Sequence, residues 1–307
     1  MMCAAHAGAG TLIIDHARAA GEKIRISGGG RCNFTNLYCG HENFVGANPH
    51  FHKSALARYD QYDFIDLISR HGIAYHEKTL GQLFCDGSAK QIVAMLRDEM
   101  ARAGAELRLE TSLTDLAKVE GGFRATLETA GKRTVITAQN VVVASGGKSI
   151  PKMGATGLAY QIAAQFDLDI VPTRAGLVPL TFSDDRFKPL AGTATPARVA
   201  ANGTSFDEAL LFTHRGLSGP VVLQASSYWA EGQDISVNID PYNTLMDALR
   251  DKRQEQGRKN LTTELAKLLP TRLVDPLATQ MDLTGNLADQ SDTRLGAIID
   301  ELQHWKM

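Results

Sequence analysis

In RISGGGRCNFTN, residues 25–36, three consecutive glycines stand directly before Arg31, Cys32 and Asn33. Glycine tolerates positive φ and lets a ligand or a second backbone approach without a Cβ in the way. Arg31 offers guanidinium donors to a phosphate or to a flavin carbonyl, and Asn33 can both donate and accept. Gly28, Gly29 and Gly30 alone would read as a flexible surface loop; the polar residues that follow them suit a loop that wraps a cofactor. Cys32 has no resolving cysteine nearby in sequence, so it reads as a buried structural thiol.

A second group lies upstream. TLIID, residues 11–15, is a short apolar strand ending in an acid. In a Rossmann βαβ unit an acid ends the second strand, about 20 residues after the phosphate-binding glycines, and accepts the ribose hydroxyls. Counting back that far from Asp15 passes Met1, so the expectation is that the first strand and its glycines lie upstream. Gly8-Ala9-Gly10 is not that loop, because its order is helix, glycines, strand, whereas the fingerprint needs a strand before and a helix after. An aspartate ending a strand also serves as a cap or surface residue; together with Gly28–Asn33 it reads as a cofactor ligand.

FTHRGLSGP, residues 212–220, places His214 and Arg215 before an expected helix start, with Ser218 as a candidate N-cap. Two readings stand side by side: an anion-receiving site with His214 as a candidate catalytic proton donor, and a capping turn around a packed histidine. The basic run RDKRQEQGRK, residues 250–259, has acids interleaved and reads as a solvated helix face. No G-x-S-x-G elbow follows a strand. The nine histidines lack metal-ligand spacing, and the four cysteines include no C-x-x-C pair.

Composition sets the frame for these groups. With 307 residues, of which 44% are hydrophobic, the chain can bury a sizeable core in one large domain or two. Its formal charge of −2 encodes no bulk attraction to nucleic acid or membrane. No apolar run approaches the roughly 20 residues needed to span a bilayer. MMCAAHAGAG lacks the basic start of a signal peptide. Reduced thiols and a cytoplasmic, soluble protein are therefore expected.

The elements that must position the groups follow in order. MMCAAHA is the end of a helix closed by Gly8. Residues 53–72 and 89–104 have helical spacing, and 105–113 alternate as a strand. GGFRATLE and RTVITA form a hairpin-like pair around Gly131-Lys132. NVVVASGG, residues 140–147, reads as a parallel strand buried on both faces and running into glycines. Short strands, turns and one helix fill residues 177–241. Residues 242–307 read as helical, with breaks at Pro270, Pro276 and Gly285.

Read together, SGGGRCNFTN, VVVASGGKSIPKMGATG and LLFTHRGLSGPVVLQ resemble the BaiN/YhiN-like flavoproteins, a bacterial family of NAD(P)/FAD-dependent, aminoacetone-oxidase-like oxidoreductases. The resemblance implies an α/β fold: a Rossmann-like FAD-binding domain over 1–176, an inserted β-barrel-like domain over 177–241 and a helical domain over 242–307. It implies FAD as cofactor and NAD(P)H as electron donor. It assigns Asp15 to the adenosine ribose, and Lys23, Gly28, Gly29, Gly30, Arg31 and Asn33 to the stretch around the FAD. Backbone at Leu113 would meet the adenine, and Ala144, Gly146 and Gly147 would form the second glycine-bearing strand end beside the cofactor. The implied substrate is a small unsaturated organic compound or a uracil base of RNA. A non-catalytic binding protein keeping the fold without the cofactor is the alternative.

The chain departs from the family pattern in three places. The family's opening strand with its GAGAAG-type loop, and its C-terminal glycine-rich segment over the flavin, are both expected to fall outside residues 1–307, so this stretch alone is expected to hold FAD poorly. TGLAY, residues 156–160, stands where the family has an acid and a glycine.

Overall fold

The computed structural model describes residues 1–307. The chain divides into two compact units, Met1–Pro172 and Thr173–Met307.

The first unit runs α1 (Met2–Ala7), β1 (Leu12–Ile14), α2 (Glu22–Ile26), β2 (Asn33–Asn36), α3 (Lys53–Leu56), α4 (Gln61–Arg70), β3 (Tyr75–Glu77), β4 (Gln82–Cys85), α5 (Ala89–Arg102), β5 (Glu106–Arg108), β6 (Thr111–Val119), β7 (Gly122–Thr129), β8 (Lys132–Ala138) and α6 (Leu158–Gln165). Strands β1 and β5 pair in parallel, with Leu12 opposite Glu106 and Ile14 opposite Arg108. The helix that leads into β5 is well specified locally. Ser88 caps α5 by accepting from the Lys90 amide at 3.2 Å, and Ile92, Met95 and Leu96 turn one buried face inward. That face joins Cys32, Ile68 and Cys85 in one core, and burial pushes the Cys85 thiol up to about 11. Neither Cys32 nor Cys85 is in a disulfide, and both are buried.

Two antiparallel sheets flank this core in sequence, in the orders β2-β4-β3 and β6-β7-β8. Ala130 and Gly131, with φ of 49° and 75°, form the two-residue turn joining β7 to β8. Paired positive φ values match the twist of a tight hairpin.

Four sequence expectations change. Residues 53–72 form two helices because Asp60 starts a new one, its Oδ1 accepting from the amides of Tyr62 (2.8 Å) and Asp63 (3.1 Å). Residues 105–113 break at Glu110, whose φ of 48° leaves the strand region, so they contribute to β5 and β6 separately. The third concerns residues 140–147, which form no strand, and Val142 is 68% exposed. A strand buried on both faces needs ladder partners for its backbone; β5 is the only strand hydrogen-bonded to β1, and no strand pairs with 140–147. Finally, Pro276 does not end a helix but lies inside Thr271–Gln280. Burial of Leu273, Val274 and Leu277 on one side offsets the roughly 3 kcal/mol that an interior proline costs.

The second unit runs β9 (Leu180–Thr181), β10 (Ala194–Ala201), β11 (Thr204–Thr213), β12 (Gly216–Ser218), α7 (Pro220–Ser226), β13 (Ser236–Asn238), α8 (Leu245–Gln256), α9 (Leu261–Leu268), α10 (Thr271–Gln280), α11 (Asp292–Gln303) and β14 (Trp305–Lys306). Its six strands are antiparallel in the order β14-β13-β10-β11-β12-β9. Thr195, Ala197, Val199 and Ala201 alternate inward along β10, the period-two pattern of a sheet buried on one face. Val199 and Phe212 of the sheet share one continuous core with Leu249, Leu265, Leu273 and Leu295 of the helices. The basic run of α8 also ties helices together: Arg250 and Arg253 both donate to Asp292 of α11, at 2.8 and 2.7 Å.

Candidate cofactor site

The glycine turn is built into the first unit at both ends. From α2 the chain enters Gly28, Gly29 and Gly30 at φ of 58°, 65° and 87°, three successive left-handed residues. The Cys32 amide then bonds the Ser27 carbonyl (3.0 Å), and the Arg31 carbonyl accepts from the Cys85 amide (2.9 Å), which fixes the exit onto β2. The two leading glycines have different surroundings. A Cβ at Gly28 would lie 2.6 Å from Phe84 Cε1 and 2.8 Å from the Asn33 amide nitrogen, so packing requires glycine there. A Cβ at Gly29 would meet nothing within 4 Å. The turn therefore holds exposed backbone in a fixed, open conformation. That is a cradle, and a ligand can approach it as closely as the missing side chain allows.

Asp15 sits at the end of the parallel pair. Its amide bonds the Arg108 carbonyl and its carbonyl accepts from the Thr111 amide, each at 3.0 Å. One carboxylate oxygen, Oδ1, accepts from the Ala17 amide at 3.0 Å and lies 3.6 Å from His16 Nδ1. The side chain remains 37% exposed, so it keeps acceptor capacity for a ligand. Thr111 begins β6, and β1 and β6 touch, so Leu113 lies on the strand that Asp15 anchors. The β6–β7 register slips between Leu113 and Asp115, and Leu113 packs partly into the core with Leu116 and Leu127.

Lys23 projects from α2 and donates to Ser149, 2.7 Å to Oγ and 3.1 Å to the carbonyl. It thereby links the helix that leads into the glycine turn with the loop carrying Ala144, Gly146 and Gly147. Those three residues lie in the loop after β8; Gly146 has φ of 75° and open space where a Cβ would stand. The Asn33 amide, in the orientation that satisfies it, donates to the carbonyls of Leu83 and Thr35, so its side chain holds β2 against β4. Arg31 is exposed.

Two participants were missed by sequence reasoning. His16 packs against Gly154, where a Cβ would come 2.5 Å from Nε2, and Lys148 lies 5.4 Å from the centre of the Tyr160 ring. KSIPKMGATG carried the signal for Lys148 and Gly154, a cluster of lysines and glycines directly after the second glycine pair; His16 is marked only by following Asp15.

His214 and Arg215 form the exposed turn between β11 and β12 in the second unit. Ser218 does not cap the helix. Ser218 lies in β12 opposite Leu211, and Gly219 stands at the N-cap of α7 with no side-chain cap bond. Gly219 adopts φ of 91°, and a Cβ there would press on the Ala209 carbonyl at 2.5 Å, so the close strand-to-helix corner excludes a capping side chain.

A parallel strand pair entered through α5, an acid at the end of β1 and an open glycine turn are features of a Rossmann-like α/β protein. The profile described as HI0933-like protein Rossmann domain matches residues 1–295, and the chain belongs to that family. It is 46% identical to the ribosomal RNA dihydrouridine synthase of Escherichia coli (strain K12), over all of this chain and 78% of that protein. The ribosomal RNA dihydrouridine synthase of Haemophilus influenzae is 39% identical, again over all of this chain and 78% of its own. A 3-dehydro-bile acid delta(4,6)-reductase of Clostridium scindens is 26% identical over 83% of this chain and 62% of its own. No helix is long and apolar enough to cross a membrane.

Proposed function

We propose that the protein is an FAD-dependent oxidoreductase that draws electrons from NAD(P)H and reduces the C5–C6 bond of a uracil base in RNA, in the cytoplasm. The observation that carries this reading is the glycine turn, closed by packing at Gly28 and open at Gly29. The two relatives named as ribosomal RNA dihydrouridine synthases support the substrate. A small unsaturated compound is the second reading, favoured by the relative named as a bile acid reductase. The cofactor-free alternative is not favoured, because these relatives are named as enzymes.

In this reading residues 1–176 belong to the FAD-binding part, 177–241 to a β-barrel-like insert and 242–307 to a helical domain. Asp15 holds the ribose hydroxyls, a charge-assisted contact. Gly28, Gly29, Gly30 and Arg31 lie along the cofactor, with Arg31 offering donors to a phosphate or ring carbonyl. Lys23 orders the loop of Ala144, Gly146 and Gly147 through Ser149. Asn33 and Leu113 contribute chiefly backbone, since the Asn33 amide is engaged within the sheet. When bound, FAD supplies the two-electron exchange between NAD(P)H and the substrate.

Purified full-length protein is expected to show flavin absorbance that NADH or NADPH bleaches in the absence of oxygen. A colourless protein that takes up no added FAD would end this reading.

Saturating C5–C6 also requires a proton, and His214 is the side chain proposed to deliver it, since an imidazole can serve as a general acid. His214→Ala in the full-length protein is expected to slow oxidation by the second substrate by roughly a hundredfold, within the usual range for a general acid, with flavin content unchanged. Stopped-flow traces of both half-reactions check this; equal rates for variant and wild type would remove His214 from the chemistry.

A further inference from the structure

Beyond the glycine turn, the chain from Leu37 to Tyr62 has a composition unlike the rest of the first unit. It exposes Tyr38 (71%), Phe44 (43%), Phe51 (84%) and Tyr62 (55%). Large rings left in water need a reason, because burying each would be favourable. Interleaved with them are His41, His50, His52, Lys53 and Arg58. Both acids of this stretch are engaged locally: Glu42 with His41 at 2.7 Å, and Asp60 with the amides that begin α4.

Two of the rings, those of Tyr38 and Phe44, are held in place. Tyr38 lies over Gly81, where a Cβ would come within 2.7 Å of the ring, and its amide bonds Asn36 Oδ1 at 2.8 Å. Phe44 stacks on His52 with centroids 5.2 Å apart and planes tilted 32°. His52 is fixed in turn by a 2.7 Å bond with the His41 carbonyl. Beside them opens a cavity of about 450 Å³, lined by Phe34 and Thr35 of β2 and by His41, Phe44, Lys53 and Tyr59 among others. Phe34 and Thr35 belong to the strand that leaves the glycine turn through Asn33. Aromatic walls, hydrogen-bonding groups and a cation at one cavity suit a flat heterocycle carrying a phosphate.

We infer that this cavity and its aromatic rim dock an unpaired stretch of RNA, one base entering the cavity while neighbours stack on Tyr38 and Phe51. The inference rests on the reading of the substrate as a uracil base in RNA. Unpaired RNA is recognised mainly by stacking of splayed bases on aromatic side chains, with cations along the backbone. The overall charge of −2 is no obstacle, because contact is made by a local surface that carries Lys53 and Arg58; of its two acids Glu42 sits against His41, and Asp60, at the cavity edge, holds the amides that begin α4. A wholly apolar partner would leave Lys53 and the histidines unmatched.

The test is a fluorescence-anisotropy titration of a short labelled oligouridine RNA with full-length, flavin-loaded protein. The double variant Tyr38→Ala/Phe51→Ala is expected to bind at least about tenfold more weakly, since each base–ring stack is worth that much. Its flavin content, melting temperature and bleaching by NAD(P)H should match wild type. Lys53→Gln should lower the salt dependence by about one ion. Tyr242→Ala, an equally exposed ring (70%) in the second unit, should change nothing. Unchanged RNA affinity in the double variant, or an equal loss in Tyr242→Ala, would overturn the inference. So would a dimer that dissociates in the double variant at constant RNA affinity, which would assign the surface to a second copy of the chain. RNA binding that the double variant loses, in a protein that proves free of flavin, would support the surface while sinking the oxidoreductase reading. Normal flavin reduction with no RNA binding by wild type would do the reverse.

Discussion

Gly29→Ala in the full-length protein is expected to lower FAD affinity by at least tenfold while leaving the fold intact, and Gly28→Ala is expected to damage the fold itself. Both positions are left-handed, which costs a residue with a Cβ about 1–2 kcal/mol. At Gly29 that is nearly the whole structural penalty, because the added methyl points into space free of protein atoms within 4 Å. If the cofactor lies along this turn, the methyl occupies its volume. At Gly28 the methyl would overlap the Phe84 ring and crowd the Asn33 amide, displacing β2 from β4. Strain and overpacking together make the cost about 2–5 kcal/mol. Thermal melts and flavin titrations of the two variants, side by side, check the contrast. Equal FAD affinity in Gly29→Ala and wild type would mean that the open face of the turn meets only solvent.

The second large effect is expected at Asp15. Asp15→Ala removes both the carboxylate charge and the acceptor that bends the chain at Ala17. Loss of a hydrogen bond to a charged group costs about 1.5–3 kcal/mol, roughly a ten- to hundredfold weakening of FAD binding. Asp15→Asn separates the two roles, since its side-chain carbonyl can still accept from the Ala17 amide. It should keep the turn and the melting temperature yet still bind FAD several-fold more weakly. Calorimetric titration of the flavin-stripped proteins measures both. Wild-type affinity in Asp15→Ala would withdraw the ribose assignment.

What the sequence made legible was the part governed by short-range rules. The apolar spacing of residues 89–104 marks α5, and Gly131 marks the β7–β8 turn, although its partner in the turn is Ala130 and the expected Lys132 already opens β8. Gly28–Gly30 announced unusual backbone, and all three glycines are left-handed. The misreadings came where distant partners decide the outcome. Val141–Val143 have the composition of a buried strand, but a strand exists only where another backbone completes its ladder. Pro276 has the look of a helix end, yet the helix face packed into the second core carries the chain through it. Ser218 has the chemistry of a cap, but it is committed to a ladder with Leu211. The contacts that assemble the candidate site were out of reach for the same reason: Lys23 and Ser149 are 126 residues apart, and nothing local to either one points to the other.

The central claim is reduction of a uracil base by a flavin held in the first unit. Its most direct measurement is a single turnover of the full-length protein, reduced without oxygen by NADPH or NADH and then mixed with uridine-containing ribosomal RNA fragments. Flavin reoxidation is followed by absorbance and the RNA by mass spectrometry. The account predicts reoxidation in step with a gain of two hydrogens on a uridine, with Gly29→Ala giving product only in proportion to the flavin it retains. Reoxidation by an unrelated acceptor with the RNA mass unchanged, or RNA reduced equally by protein stripped of flavin, would contradict it.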